Sequence, residues 1–244
     1  MECKFLFRNI VLLFSMILMP LLATAQSEVA PPAPTAVVTD QEGASEELVE
    51  GDSYEGEAPL AVHFASNATE YDDFSLVCVW TFTRQEEYEP FLTRYDKDVD
   101  YEFREAGTFL VRLNAKYTHR TIPNLELEYE FEPFAIRIAE SSLKVPNAFS
   151  PNGDGINDYF NVFDVKSIVS FSAAIYNRWG QQLYSWGIDE MECEECGWDG
   201  TYKGKPVKDG VYFVVVNARG ADGVNYEIKA DVNLLRGYID EVAQ

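Results

Sequence analysis

Thr108-Phe109-Leu110-Val111-Arg112-Leu113-Asn114-Ala115-Lys116-Tyr117 sets Phe109, Val111, Leu113 and Ala115 at every second position, between residues that are polar except for Leu110. Side chains alternate across a strand, so this spacing collects the four on one face and predicts a half-buried strand. Upstream, Leu76-Val77-Cys78-Val79-Trp80-Thr81-Phe82 repeats the period and puts Leu76, Cys78, Trp80 and Phe82 on one face. Further short apolar runs, broken by turns, lie at 58–65, 99–104 and 125–139. No useful length here holds a helical period, so residues 58–140 read as a β-sandwich.

The pattern continues downstream. Phe171 to Tyr176 and Gln181 to Trp186 flank Asn177-Arg178-Trp179-Gly180, and Val211 to Asn217 and Val224 to Leu235 flank a turn containing Asp222-Gly223. Both pairs predict hairpins, and Asp209-Gly210 marks another turn. Residues 141–244 therefore read as a second sandwich, and the fold class expected is all-β: two consecutive Ig-like β-sandwich domains after a cleaved signal peptide.

That signal is read over 1–25. Lys4 and Arg8 form a basic start, Ile10 to Met19 is uncharged and mostly apolar, and Ala23-Thr24-Ala25 is an A-x-A cleavage site. The apolar stretch is shorter than the ~20 residues that cross a bilayer, so no membrane span is expected in the mature chain. Residues 26–57 carry Pro31, Pro32 and Pro34, then an acidic run without Lys or Arg. They read as a Pro-rich then acidic linker and loop, with 34–40 a candidate first strand.

The whole chain has 41 Asp and Glu against 19 Lys and Arg, a net charge of −22. Such a charge opposes a phosphate backbone, so nucleic acid is excluded as a partner. The excess is uneven, net −17 over 26–140 and −6 over 141–244, which points to different jobs for the two halves.

Three cysteines follow the signal: Cys78, Cys193 and Cys196. Cys78 falls on the apolar face with Trp80 and reads as an inert core thiol. Cys193-Glu-Glu-Cys196 has the spacing of half a zinc site, a redox pair or a small loop disulfide. With only His63 and His119 in the chain and no second CxxC, four zinc ligands are hard to assemble. An oxidising compartment favours the disulfide.

Three other constellations bear on chemistry. Glu126, Glu128, Glu130 and Glu132 alternate with Leu125, Leu127, Tyr129 and Phe131, a carboxylate row that could supply an acid–base pair only if one member were buried; opposite an apolar face it reads as a solvated edge. His63 and His119 have no nucleophile motif beside them. Ser150 to Asn161 fits a calcium-loop register, with Ser150, Asn152, Asp154, the Ile156 carbonyl, Asp158 and Asn161 as ligands. Only two are carboxylates, so Asn152, Asp154 and Asp158 are a weak calcium candidate, and Asn/Asp/Gly serve Asx-turns equally well. No other cofactor is expected.

Two family resemblances rest on these segments. Ala58-Pro59-Leu60-Ala61-Val62-His63-Phe64, Val79-Trp80-Thr81-Phe82 and Tyr101 to Val111 resemble, in order and spacing, three strands of polycystic kidney disease (PKD) domains. The family's Gly-Asp-Gly turn after Trp-x-Phe is replaced by Thr83-Arg84-Gln85. Val145 to Phe160, with Asn152, Gly153, Asp154, Gly155, Asn157 and Asp158, is followed in order by Asn177-Arg178-Trp179-Gly180, Trp198-Asp199-Gly200, Gly210-Val211-Tyr212 and Leu234-Leu235-Arg236. This series resembles the gliding motility-associated C-terminal domain, or type B sorting domain, of type IX secretion in Bacteroidota. The Cys193 to Cys196 loop departs from that family's pattern.

The second resemblance implies an exported protein of the cell surface or extracellular space, passing through the periplasm. Its C-terminal domain would be read by the type IX machinery, including a PorP/SprF-type outer-membrane protein, with the PKD-like domain as cargo. With no nucleophile motif, metal cluster or cofactor loop in the sequence, no enzymatic activity is expected. A second reading is a surface module that binds glycan or protein, with calcium assisting, in adhesion or gliding.

Overall fold

The computed structural model describes residues 29–40, 43–191 and 193–237; the expected signal segment 1–25 lies outside them. The first run of strands is β1 (Thr35–Thr39), β2 (Ser45–Val49), β3 (Ser53–Gly56), β4 (Leu60–Ala65), β5 (Phe74–Arg84), β6 (Leu92–Arg94), β7 (Asp98–Phe103), β8 (Gly107–His119), β9 (Glu126–Glu130) and β10 (Phe134–Ile138). They form two sheets, ordered β2-β1-β4-β7 and β3-β10-β8-β5-β6, with β9 also on β8. The chain crosses repeatedly between the sheets, and the pairs are antiparallel except β3 on β10. This is an Ig-like sandwich.

β8 is its centre. Its Phe109, Val111, Leu113 and Ala115 are all buried, as their spacing requires. Phe109, Val111 and Leu113 meet Cys78, Trp80 and Phe82 of β5 and Phe64 of β4 in one core. Trp80 is fully enclosed, and its indole N–H donates to the Lys97 carbonyl at 3.3 Å, so its burial leaves no polar atom unpaired. Tyr117 closes the far end of the core: its hydroxyl donates to the Thr69 carbonyl at 3.0 Å, and burial pushes its pKa up to about 12. Burial likewise raises the Cys78 thiol, which keeps it protonated and unreactive.

Two expectations are corrected here. The 26–57 segment holds three strands rather than one and a linker. β2 exposes Glu46 and Glu47 but buries Leu48, and one inward anchor with ladder bonds to β1 suffices for an edge strand. The single run expected over 125–139 is divided into β9 and β10 at Glu132-Pro133, where proline supplies no N–H to the ladder. β8 accommodates both pieces on one edge, pairing β10 over 107–111 and β9 over 114–118.

The second run comprises β11 (Ser142–Lys144), β12 (Ala148–Phe149), β13 (Phe163–Lys166), β14 (Ile168–Tyr176), β15 (Gln182–Gly187), β16 (Thr201–Tyr202), β17 (Lys205–Pro206), β18 (Gly210–Gly220) and β19 (Asn225–Leu234). One sheet is ordered β12-β19-β18-β14-β15, and both hairpins read from the sequence are in it. The opposite face holds only the ribbon β11-β13 and the short hairpin β16-β17. Phe149, Phe160, Ile175, Trp186, Trp198, Val214, Val216 and Leu234 fill a second core between them.

Both cores lie within one compact unit, Pro31–Gln244, because the sandwiches share a bonded joint. The Ala58 N–H donates to the buried Ser167 hydroxyl at 3.1 Å, and the Ala106 N–H to the Ala221 carbonyl at 3.1 Å. Asp222 accepts from the Ser141 N–H at 3.0 Å and from its hydroxyl at 2.8 Å, and Tyr226 reaches the same hydroxyl at 2.9 Å. Burial would raise the Asp222 carboxyl, but these bonds and the one from the Val224 N–H outweigh it and hold it below its ordinary value. Ala221 is itself part of the first core. A Cβ at Gly220 would lie 2.0 Å from the Ser141 hydroxyl oxygen. Gly220→Val should therefore force the joint open. Trypsin or chymotrypsin should cut the variant between residues 139 and 145 faster than the parent, and its urea transition should broaden or split in two; unchanged cleavage and a single sharp transition would show that the joint does not couple the sandwiches.

Candidate functional site

Most of the sequence motifs of the second sandwich lie in loops outside its main sheet. The backbone turns there without ladder partners, so each loop needs other acceptors and donors. Asp158 answers for the first loop. Its Oδ1 accepts from the Asn152 N–H at 2.9 Å and the Gly153 N–H at 2.7 Å, and its Oδ2 accepts from the Gly155 N–H at 2.8 Å. Donation from Gly153, then Gly155 and Asn152, holds its carboxyl below the usual carboxylate range. Asn152 and Asp154 add successive Asx-turns, their side chains accepting from Asp154 N–H and Ile156 N–H at 2.9 and 2.8 Å. Gly153 and Gly155 both sit at φ +85° and Asn157 at +53°, which explains glycine and asparagine at these places.

This geometry bears on the calcium register. The Asp158 oxygens are occupied by N–H groups, the Ser150 hydroxyl donates to the Ile156 carbonyl at 3.3 Å, and the Asn152 amide donates to Asp154 at 2.8 Å. Asn161 turns elsewhere: its amide donates to the Glu190 and Cys193 carbonyls at 3.1 and 3.0 Å, and its oxygen accepts from the Trp186 indole at 2.9 Å. The six ligands of the register are thus not brought together on one centre. Among the described residues, no three His, Cys, Asp or Glu side chains are grouped as a metal site would group them.

A second knot surrounds Trp198. Its indole N–H donates to the Thr201 carbonyl at 2.8 Å, and its backbone exchanges two bonds of 2.9 Å with Phe160. Asp199 accepts from the Thr201 N–H at 2.9 Å. Arg236 binds two segments at once, donating to the carbonyls of Gly200 at 2.7 Å and Val207 at 2.5 Å and to the Asp209 carboxylate at 2.9 Å. Gly200, at φ +74°, lets the guanidinium in; a Cβ there would meet it at 2.9 Å. Tyr212 stacks edge-on to Trp198 and donates to the Lys208 carbonyl at 2.6 Å, while Gly210 adopts φ +148° at the start of β18. Sequence reasoning missed Gly197, where a Cβ would lie 2.3 Å from the Phe160 carbonyl oxygen. Only the long-range Phe160 to Trp198 bridge makes that glycine necessary.

Cys193 and Cys196 are disulfide-bonded with their Cα atoms 5.1 Å apart, and the Tyr184 hydroxyl donates to the Cys196 carbonyl at 2.9 Å. The third motif closes the β14–β15 hairpin. The Asn177 side-chain oxygen accepts from the Trp179 and Gln181 N–H groups, both at 3.0 Å, and Gly180 takes φ +79°. Arg178 lies over the Trp179 ring at 4.4 Å, and Trp179 is 76% exposed.

The remaining sequence candidates are dispersed. Glu126, Glu128 and Glu130 lie exposed along β9; Glu126 pairs with Lys116 at 2.7 Å and Glu128 accepts from Asn114 at 3.2 Å. Glu132 is exposed beyond the strand. His63 contacts Asp100 at 2.7 Å on an exposed sheet face, and His119 accepts from the Ile122 N–H at 3.0 Å within its own turn.

Residues 143–232 match the family model of the CHU_C type IX secretion signal domain. The second sandwich carries that domain. No curated protein matches the chain in sequence. Among solved structures, the tetra-tandem repeat in the extending region of a large adhesion protein is 12% identical over 85% of this chain and 68% of that one, TM-score 0.27. The FN1–FN3 domains of chicken CNTN1 are 10% identical over 81% and 73%, TM-score 0.28. Dimeric latent PorU from Porphyromonas gingivalis is 13% identical over 86% of this chain and 20% of its own, TM-score 0.24. At such TM-scores these likenesses carry nothing across to this chain.

The loop geometry sets two expected outcomes. Asp158→Asn should lower the melting temperature at neutral pH, and Gly155→Val should lower it further. A carboxyl whose folded pKa is depressed stabilises above its unfolded value and loses that contribution as pH falls through the folded one. The gap between Asp158→Asn and the parent should therefore close below about pH 4, while melts in millimolar calcium and in chelator should superimpose; a gap that persists in acid, or a large chelator effect abolished by Asp154→Ala, would contradict this assignment. Alkylation of the native protein should leave Cys193 and Cys196 unmodified without reductant and should reach Cys78 only after denaturation. Native labelling at 193 and 196, read by peptide mass, would show two free thiols instead.

Proposed function

We propose that this chain is a non-enzymatic exported protein in which residues 141–244 act as a type IX sorting domain and residues 58–140 form a PKD-like cargo domain. The observation that carries this reading is the family match over 143–232, and most of its motif side chains are engaged in hydrogen bonds within the domain's own loops. An N-terminal signal would take the chain across the inner membrane, and the sorting domain would take it across the outer one, with a PorP/SprF-type outer-membrane protein as the dedicated partner. The mature protein would then reside at the cell surface or outside the cell.

The absence of enzymatic activity is supported by how the titratable candidates are used. The Glu126 to Glu130 carboxylates face solvent or neighbouring side chains along one strand, and the two imidazoles are separately engaged. General acid–base chemistry needs a carboxyl raised by burial or an imidazole facing a nucleophile.

The test is export from a host with a working type IX system. Protein truncated before residue 141 should remain in the periplasm, while the full chain is recovered from the surface or medium. Equal recovery of both outside the cell would refute the sorting role.

A further inference from the structure

Most motif side chains of the second sandwich are consumed by its own loops, but Arg178 and Trp179 are not. Trp179 is the most exposed of the described tryptophans at 76%, whereas Trp80, Trp186 and Trp198 are buried. An exposed indole costs hydration free energy unless something covers it. Nothing about this one is loose. Asn177 holds the turn backbone through two bonds, its amide donates to Gln181 Oε1 at 3.0 Å, and Gln181 in turn donates to the Tyr202 hydroxyl at 3.0 Å. The Arg178 guanidinium lies over the ring, so the pair presents one amphipathic surface.

The surroundings add charge. Tyr202 leads into the β16–β17 turn, where Lys203 at φ +51° and Gly204 at φ +73° present an exposed lysine, and Lys205 and Lys208 are exposed just beyond. Among the described residues, no ion pair engages Arg178, Lys203, Lys205 or Lys208, whereas Asp209 is already taken by Arg236. A basic and aromatic end thus stands out on a chain of net charge −22. Apolar surface extends it: β14 register sets Tyr176 opposite Phe213, and Phe213 and Val211 are 42% and 50% exposed.

The placement leaves this end open. β14 begins beside Ser167 at the joint with the first sandwich and ends at the hairpin, which sets the tip roughly 30 Å from the joint. Trp and Arg are the residue types that anchor protein interfaces, and here they stand on a turn whose backbone is held by Asn177. A hairpin tip projects, so it fits a concavity; glycans are more often received in one.

We propose that the Arg178–Trp179 tip, flanked by Lys203 and Lys205, is the surface by which the export machinery recognises this domain, inserting into a protein pocket with an apolar floor and a carboxylate-bearing rim. This rests on the sorting role proposed above. The test uses the full chain in its type IX-competent host, with the truncation before residue 141 run in parallel. Trp179→Ala should lower the extracellular fraction by about tenfold or more, with folded protein of parental melting temperature accumulating in the periplasm. The double variant Lys203→Glu, Lys205→Glu, on an exposed hairpin, should also be retained. Normal export of Trp179→Ala while the truncation is retained would overturn the proposal and leave the sorting role standing; normal export of both would overturn both. Should Trp179→Ala fail to fold, the lysine variant decides: retention supports the surface and normal export overturns it. Loss of binding to anionic polysaccharide with export intact would assign the tip to a glycan and overturn it too.

Discussion

The second core has a five-stranded sheet on one side and almost no sheet on the other. Phe149, Phe160 and Trp198 must nevertheless be covered, and what covers them is irregular chain. Irregular chain near a core is costly unless its N–H and C=O groups find partners. That constraint accounts for the chemistry of residues 150–161 and 197–212. One carboxylate, Asp158, gathers three N–H groups. One guanidinium, Arg236, gathers two carbonyls and a carboxylate from two segments. One amide, Asn161, satisfies both its donors and its acceptor at once. The polar residues that might suggest a reactive centre are the framework of a face with few strands.

The same constraint decides how much could be read from the chain. Alternation in β5 and β8 is local and strong, so the buried face of each strand was legible, down to Cys78 beside Trp80. The hairpins at 177–180 and 221–224 carry their turn residues with them, so they were legible as well. The strands of 35–56 were less so, because β2 has one buried residue among acidic neighbours, and periodicity has little to register there. Pro133 was visible, but its consequence was not: β8 is long enough to receive β9 and β10 end to end. The loop motif at 150–158 could be recognised as turn-forming, while the placement of Asn161 on Trp186 depends on a contact across 25 residues of chain. Gly197 and Gly220 are necessary only because Phe160 and Ser141 approach them from far away in the sequence. Distant approach leaves no periodic trace.

The joint gives the two sandwiches unequal freedom at their ends. Ser167, Gly220, Ala221 and Asp222 all lie where β13 meets β14 or β18 turns into β19, and all face the first sandwich or its connection. The opposite end of the same sheet carries Asn177 to Gly180 and the start of β18. Charge follows the same division, with the acidic excess concentrated before residue 141. The proposed sorting role would use this polarity: one end is joined to the first sandwich, and the other would be left to be read.

Transfer of the address is the most direct measurement of the central claim. Residues 141–244 would be fused to an unrelated periplasmic reporter bearing its own inner-membrane signal, in hosts with and without a working type IX system. The account predicts reporter at the surface or in the medium of the first host and in the periplasm of the second. Reporter confined to the periplasm of both, although the fused domain is folded by its melting transition, would contradict it.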